Sequence, residues 1–182
     1  GEAIPRSLSL TDAVAQTKRT TPSADLARFA KKTAAAANPH QTAIAICKKI
    51  FADLTYKNGH TGVHSIASEA WAAKVGVCQD YAHIAIGALR SAGIPARYVS
   101  GYLHPSREPK LHEKVAGESH AWVEWWAGAW FAYDPTNDII AGDRHIVVGR
   151  GRDYDDVPPL RGVYAGPFDG ELFVKVEITK EG

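Results

Sequence analysis

The strongest constraint on how this chain can fold is a change of hydrophobic period near its midpoint. Up to Gly93 and Pro95 the apolar residues recur at steps of three and four, whereas from Ala96 onward short segments alternate apolar with polar. The first pattern fits helices with one buried face and the second fits strands of a half-buried sheet. Helices followed by strands predict an α+β domain with an antiparallel sheet, not a doubly wound one. At 182 residues and 45% hydrophobic content, one core is the default. We therefore expect a single domain over 1–182, with a helical part over about 1–93 and a sheet part over about 94–182.

Within the helical part, Thr21-Pro22 predicts a helix start, with Leu26, Phe29 and Ala30 on its inner face and an end near Asn38. Asn38-Pro39 repeats the signal for a helix whose stripe runs Ala43, Ile44, Cys47, Ile50, Phe51 and Leu54. Ser65 is the predicted cap of a short helix carrying Ile66 to Trp71, and Gly76 its terminator. A further helix starts at Cys78 with Ala82, Ala85, Ile86 and Leu89 on one face, closed by Gly93 and Pro95. Predicted strands are Ala96 to Leu103, a hairpin of Ser119 to Trp126 with Trp130 to Asp134, His145 to Val148, and the alternating Leu172 to Thr179. The stretches 104–117 and 149–170 are rich in Pro, Gly and charge, which predicts surface loops.

With 21 Lys plus Arg against 20 Asp plus Glu and no basic stripe, nothing points to nucleic acid. No apolar run approaches the length of a membrane span, so we expect no membrane contact from this chain. Two cysteines could form one disulfide, but free thiols in a reducing, cytoplasmic setting suit them at least as well. The chain starts at Gly1 and lacks methionine, which suggests a processed or engineered end.

The chemistry concentrates on three segments. Cys78 stands in Gly76-Val77-Cys78-Gln79-Asp80, at the first turn of a predicted apolar helix. A helix N-terminus offers unpaired N–H groups and the positive end of the macrodipole, which favour a thiolate and could also stabilise an oxyanion. Cys47, mid-helix among Ile44 and Ile46, reads as packing.

His120 and Asp134 lie on the two arms of the predicted hairpin. A three-residue loop with Gly128 in the left-handed conformation sets Trp125 opposite Ala129 and His120 directly across from Asp134. Side chains so opposed share a face, letting a carboxylate orient an imidazole that takes a proton from a thiol. Gly76, Val77, Gln79, Ser119 and Trp122, beside the nucleophile and the base, are the candidates for substrate contact.

These segments, read as G-V-C-Q-D-Y-A-H, E-S-H-A-W-V-E and W-F-A-Y-D-P-T with Gly93 to Tyr102 between the first two, resemble the transglutaminase-like superfamily, in particular its bacterial cysteine-peptidase branch. The resemblance covers about residues 39 to 150. It implies a papain-like arrangement, a triad on Cys78, His120 and Asp134, and a thioester intermediate. It also implies a peptide or protein substrate, an amine acceptor if the reaction is transglutamination, and a β-rich region upstream in many relatives. No cofactor is expected, because no loop carries the Asp-rich periodic ligand pattern of a calcium site. The run from Gly149 to Pro159 also looks like the bacterial members and is expected near the cleft. Two other readings compete. One is a peptide-binding module that keeps the fold without the chemistry. The other is a metal protein using Cys78 with histidines such as His60, His64, His104 and His112, but no ligand spacing supports a metal. Nothing in the chain indicates its oligomeric state.

Overall fold

A computed structural model describes residues 8–62, 64–158 and 176–181. Its helices are α1 (Leu10–Val14), α2 (Ala24–Ala34), α3 (Pro39–Asp53), α4 (Ala67–Ala73) and α5 (Cys78–Ser91). Its strands are β1 (Thr55–Tyr56), β2 (Val75–Gly76), β3 (Ala96–Leu103), β4 (Lys114–Ala116), β5 (Glu118–Trp126), β6 (Trp130–Asp134), β7 (Ile139–Ile140), β8 (His145–Gly151) and β9 (Glu177–Thr179). Among the described residues the main sheet has five strands in the order β7-β6-β5-β3-β8, all neighbours antiparallel. The α+β class with an antiparallel sheet is therefore as the sequence predicts.

α5 lies between α2, α3 and α4 on one side and β3 and β5 on the other. It is buried from Gln79 to Arg90 on every side, not only along the stripe of Ala82, Ala85, Ile86 and Leu89. Small residues let neighbours approach this closely. At Gly87 an added Cβ would stand 1.9 Å from the carbonyl oxygen of Thr20. We therefore expect Gly87→Ala to destabilise the fold by about 3 kcal/mol or more, from overpacking against rigid backbone; a denaturant midpoint equal to wild type would show that the N-terminal arm can yield.

The same helix is stapled by buried polar groups. The Arg90 guanidinium donates to the carbonyls of Ala13, Ala96 and Arg152 and to the Thr20 hydroxyl, tying the N-terminal arm, the start of β3 and the segment after β8 to one point. Burial pulls its pKa down to about 10, against the opposing pull of the Asp153 charge.

Several local expectations are corrected. α2 begins at Ala24 with Ser23 at the N-cap position, because Pro22 precedes the helix instead of opening it. α4 starts after Ile66, since the Ser65 hydroxyl is committed to Asp80 and caps nothing. That helix ends at left-handed Lys74 (φ 56°), while Gly76 belongs to β2, which pairs in parallel with β1. The predicted loop over 104–117 contains β4, paired with β9, and the one over 149–170 begins with the last residues of β8 and a 3-10 turn, Tyr154–Asp156. Most of the predicted last strand lies outside the described residues; its end is β9, where Ile178 is buried between Glu177 and Thr179 as alternation requires.

The hairpin register also differs. The three-residue loop is Ala127-Gly128-Ala129, with Gly128 at φ 90° as expected, and Trp126 pairs with Trp130. The pairing is thus shifted by two residues from the sequence reading. Continued along the strands, it sets Asp134 across from Trp122 and one diagonal step from His120. A shift of two keeps side chains on their original face, whereas a shift of one would have separated them.

Candidate active site

Cys78 is the first residue of α5, half-buried, with Val77 in extended conformation at the N-cap. The turn before it is anchored by Asp80, which is 1% exposed. One Asp80 oxygen accepts from the Val77 N–H (2.9 Å) and the Thr61 hydroxyl (2.6 Å), and the other accepts from the Ser65 hydroxyl (2.5 Å). The turn before Cys78 and the segments holding Thr61 and Ser65 therefore share one carboxylate. Asp80 also fills the space above Gly76, where an added Cβ would lie 2.7 Å from the Asp80 Cβ. Gly76 thus makes room for this anchor.

His120 sits near the start of β5 with its side chain 9% exposed. Its Nε2 is 2.7 Å from Asp134 Oδ2, which leaves Nδ1 for the hydrogen bond to the Cys78 sulfur. The structure thus brings Cys78, His120 and Asp134 into one chain of contacts. Burial works against a charged ring, yet the hydrogen bonds to Asp134 and Cys78 and their charges outweigh it, and the His120 pKa is raised to about 9.

Asp134 is fully buried at the end of β6. Its Oδ2 accepts from His120, from Asn137 Nδ2 (2.7 Å) and from His145 Nε2 (3.2 Å), and its Oδ1 accepts from the backbone N–H groups of Thr136 (3.0 Å) and Asn137 (3.2 Å). Burial alone would push the carboxyl up, but these donors, led by His120 and His145, hold it well below the usual carboxylate range. The Asp-Pro-Thr-Asn turn after β6 thus supplies backbone donors that a carboxylate in mid-strand would lack.

The other singled-out positions differ in placement. Val77 is half-buried beside the thiol, Gln79 is 9% exposed, and Ser119 is exposed on β5 opposite Tyr102. Trp122 is 1% exposed, so its ring is turned to the two histidines, 6.2 Å from that of His120 and 5.1 Å from that of His145. Tyr56, on β1 opposite Gly76, is 49% exposed. Partial burial, with Cys78 and Glu118 nearby, raises its phenol. Cys47 is fully buried, and burial pushes its thiol far up, so the two cysteines are chemically unlike.

Sequence reasoning missed Asp80, Asn137 and His145. An acidic residue three positions into a helix was a readable signal for Asp80. His145 had none, because only the β3–β8 pairing carries it to Asp134. Among the described residues, His120, Asp134 and His145 form the one group of three possible metal donors, and His60 and His64 are not part of it.

The model of the transglutaminase-like superfamily matches residues 27–135. The chain belongs to this superfamily. It is 46% identical over 155 residues to an uncharacterized protein of Mycobacterium leprae, covering 85% of this chain and 56% of that protein. It is 35% identical over 91 residues to a protein-glutamine gamma-glutamyltransferase of Pseudomonas aeruginosa, covering 47% of this chain and 13% of that one. Among solved structures, one described as "a Putative Cysteine Protease from Cytophaga hutchinsonii" superposes with a TM-score of 0.70 at 25% identity, over 82% of this chain and 49% of that one. The periplasmic domain of TgpA from Pseudomonas aeruginosa shares the fold, with a TM-score of 0.54 at 23% identity over 75% of this chain and 49% of that one. The chain spans about half the length of the mycobacterial relatives it matches. No helix among the described residues is long and apolar enough to cross a membrane. The described part of the run expected near the cleft, Gly149 to Pro158, meets the helical side: Asp155 accepts two hydrogen bonds from Arg19, and the Tyr154 N–H donates to His83 Nε2.

Two histidines in this superfamily member titrate in opposite directions. His83, wholly buried on α5, is pushed down to about 3 by burial and then by Arg19. An unfolded chain takes up this proton as pH falls through about 6.5 while the native state does not, so stability is lost from about pH 6.5 downward. His120 has the opposite sign: its contribution is complete below about 6.5 and is lost as pH rises through about 9. We expect His83→Gln, which keeps an acceptor for Tyr154, to remove about 2 kcal/mol of the stability loss between pH 6.5 and 5. Parallel denaturation curves for the two proteins across that range would contradict this.

Proposed function

We propose that this chain catalyses thiol-dependent acyl transfer or hydrolysis at a peptide or glutamine carboxamide. The observation that carries the reading is one imidazole held between a sulfur at a helix start and a fully buried carboxylate. The Cys78 proton passes to His120 Nδ1 and the sulfur attacks the carbonyl carbon, giving a tetrahedral oxyanion. We assign stabilisation of that charge to N–H groups at the first turn of α5. Collapse to the thioester expels the amine, which takes the proton from His120. Asp134 keeps the ring oriented and offsets its positive charge throughout.

A second nucleophile then releases the acyl group. Water makes the reaction peptide hydrolysis or deamidation, and a primary amine makes it transglutamination. The substrate is accordingly a peptide or protein, with an amine acceptor in the last case. Val77, Gln79 and Ser119 are the side chains we assign to substrate contact, and Tyr56 extends that face of the thiol. A cytoplasmic setting is favoured by two free cysteines, although the TgpA domain carries this fold in the periplasm.

The deciding experiment incubates the chain with a peptide library, with and without a primary amine, and reads masses. Cleavage, deamidation or amine incorporation that vanishes in Cys78→Ala would each name one reaction. No change dependent on Cys78, together with equal alkylation of Cys78 and Cys47, would leave a peptide-binding module in place of an enzyme.

A further inference from the structure

We infer that His145 is a positioning residue of this site, a second histidine whose work is to hold the Asp134 carboxylate against His120. The inference rests on the triad proposed above and extends it by one member. His145 is the first residue of β8, and its side chain is 3% exposed. The ring bridges two fixed points. Its Nδ1 lies 3.2 Å from the backbone nitrogen of Gly142, and its Nε2 lies 3.2 Å from Asp134 Oδ2.

These contacts determine the proton's place. A backbone N–H can only donate, so Nδ1 accepts and carries no hydrogen in the neutral ring; the hydrogen is then on Nε2, pointing at the carboxylate. That tautomer also argues against the other use of the cluster. A metal on His120, Asp134 and His145 would need Nε2 of His145 as a lone-pair donor, and so a hydrogen on Nδ1, where the Gly142 N–H already points.

The mechanical consequence follows from the geometry of Oδ2. His120 approaches it from β5, His145 from β8, and Asn137 from the turn after β6. Trp122 packs against both rings, 27° from parallel to His120 and edge-on to His145. Without the His145 donor, the carboxylate has one fewer restraint on the oxygen that orients the base. Because β8 pairs with β3 and not with β5 or β6, this restraint comes from outside the hairpin that carries His120 and Asp134.

The test measures the rate of Cys78 alkylation by iodoacetamide across pH, with buried Cys47 as internal reference, so that it needs no substrate. His145→Leu should slow labelling roughly tenfold to a hundredfold, the worth of one hydrogen bond to a charged group. His145→Gln, whose amide nitrogen falls near the position of Nε2, should recover most of that loss, and His145→Asn, whose amide stops short, should not. If the leucine variant does not fold, the Gln and Asn pair carries the comparison. Introducing His145→Leu into Asp134→Asn should cost little more, since both act through one carboxylate, whereas a purely structural effect would multiply. Wild-type labelling in His145→Leu and His145→Asn, or multiplying losses, would overturn the assignment while leaving the triad intact. An Asp134→Asn protein that labels like wild type would overturn the triad and this role together. Zinc that protects Cys78 in the wild type but not in His145→Gln would overturn it in favour of a metal site.

Discussion

Cys78→Ala is expected to abolish turnover and covalent labelling at this position, a loss of roughly 10⁴-fold or more, while the domain stays folded. The sulfur is half-buried at the first turn of α5, and the core of that helix begins one residue later. Removing one atom there leaves little cavity, so stability should change by no more than about 1 kcal/mol. A second readout belongs to this variant. Cys78 is one of the groups that raise His120, through a hydrogen bond and through charge, so the imidazole should titrate below about 9 once the sulfur is gone. Following the ring protons of His120 by NMR across pH would test this directly. An unchanged titration would mean that sulfur and imidazole do not share a proton in solution, and unfolding of the variant would return Cys78 to a packing role.

Asp134→Asn should have the next largest effect, a fall of roughly 10³ to 10⁴-fold in the rate of the chemical step with the thiol still present. The carboxamide has nearly the same shape but directs an N–H group toward donors already aimed at Oδ2. His120 loses the hydrogen bond and charge of Asp134 that, together with those of Cys78, outweigh its burial, so its pKa should fall from about 9. The variant should also be less stable by about 2–4 kcal/mol, because buried N–H groups of His120, His145 and Asn137 lose an anionic acceptor. Single-turnover kinetics with thermal denaturation separates the two effects. Full activity would remove Asp134 from the mechanism. Activity loss without any stability change would mean that the asparagine finds new partners in the same cage.

Much of this site is legible in the sequence alone. The start of α5 at Cys78 follows from the apolar periodic run that begins there, although Gly76 before it lies in β2 and not in a turn, and the hairpin follows from Gly128 between alternating strands. The register was misplaced by two residues because turn residues alone did not distinguish a loop of 126–128 from one of 127–129. The conclusion that His120 and Asp134 share a face survived, since an even shift preserves the side of the sheet. Caps were less legible. Ser65 and Ser23 are good N-cap residues by type, but each hydroxyl is taken by a carboxylate, of Asp80 and Asp25.

What the sequence by itself determined is whatever depends on near neighbours: the period of each half, the place of the cysteine at a helix start, and the common face of the histidine and the carboxylate across a tight turn. Only the tertiary structure decided which distant groups complete the site. His145 reaches Asp134 because β8 pairs with β3, and Thr61 and Ser65 reach Asp80 because their loop folds over the start of α5. The physical reason is the same in each case. A local pattern records a chain's own periodicity and turn chemistry, whereas contacts between segments far apart in sequence arise when those segments pack, and no short-range pattern encodes them.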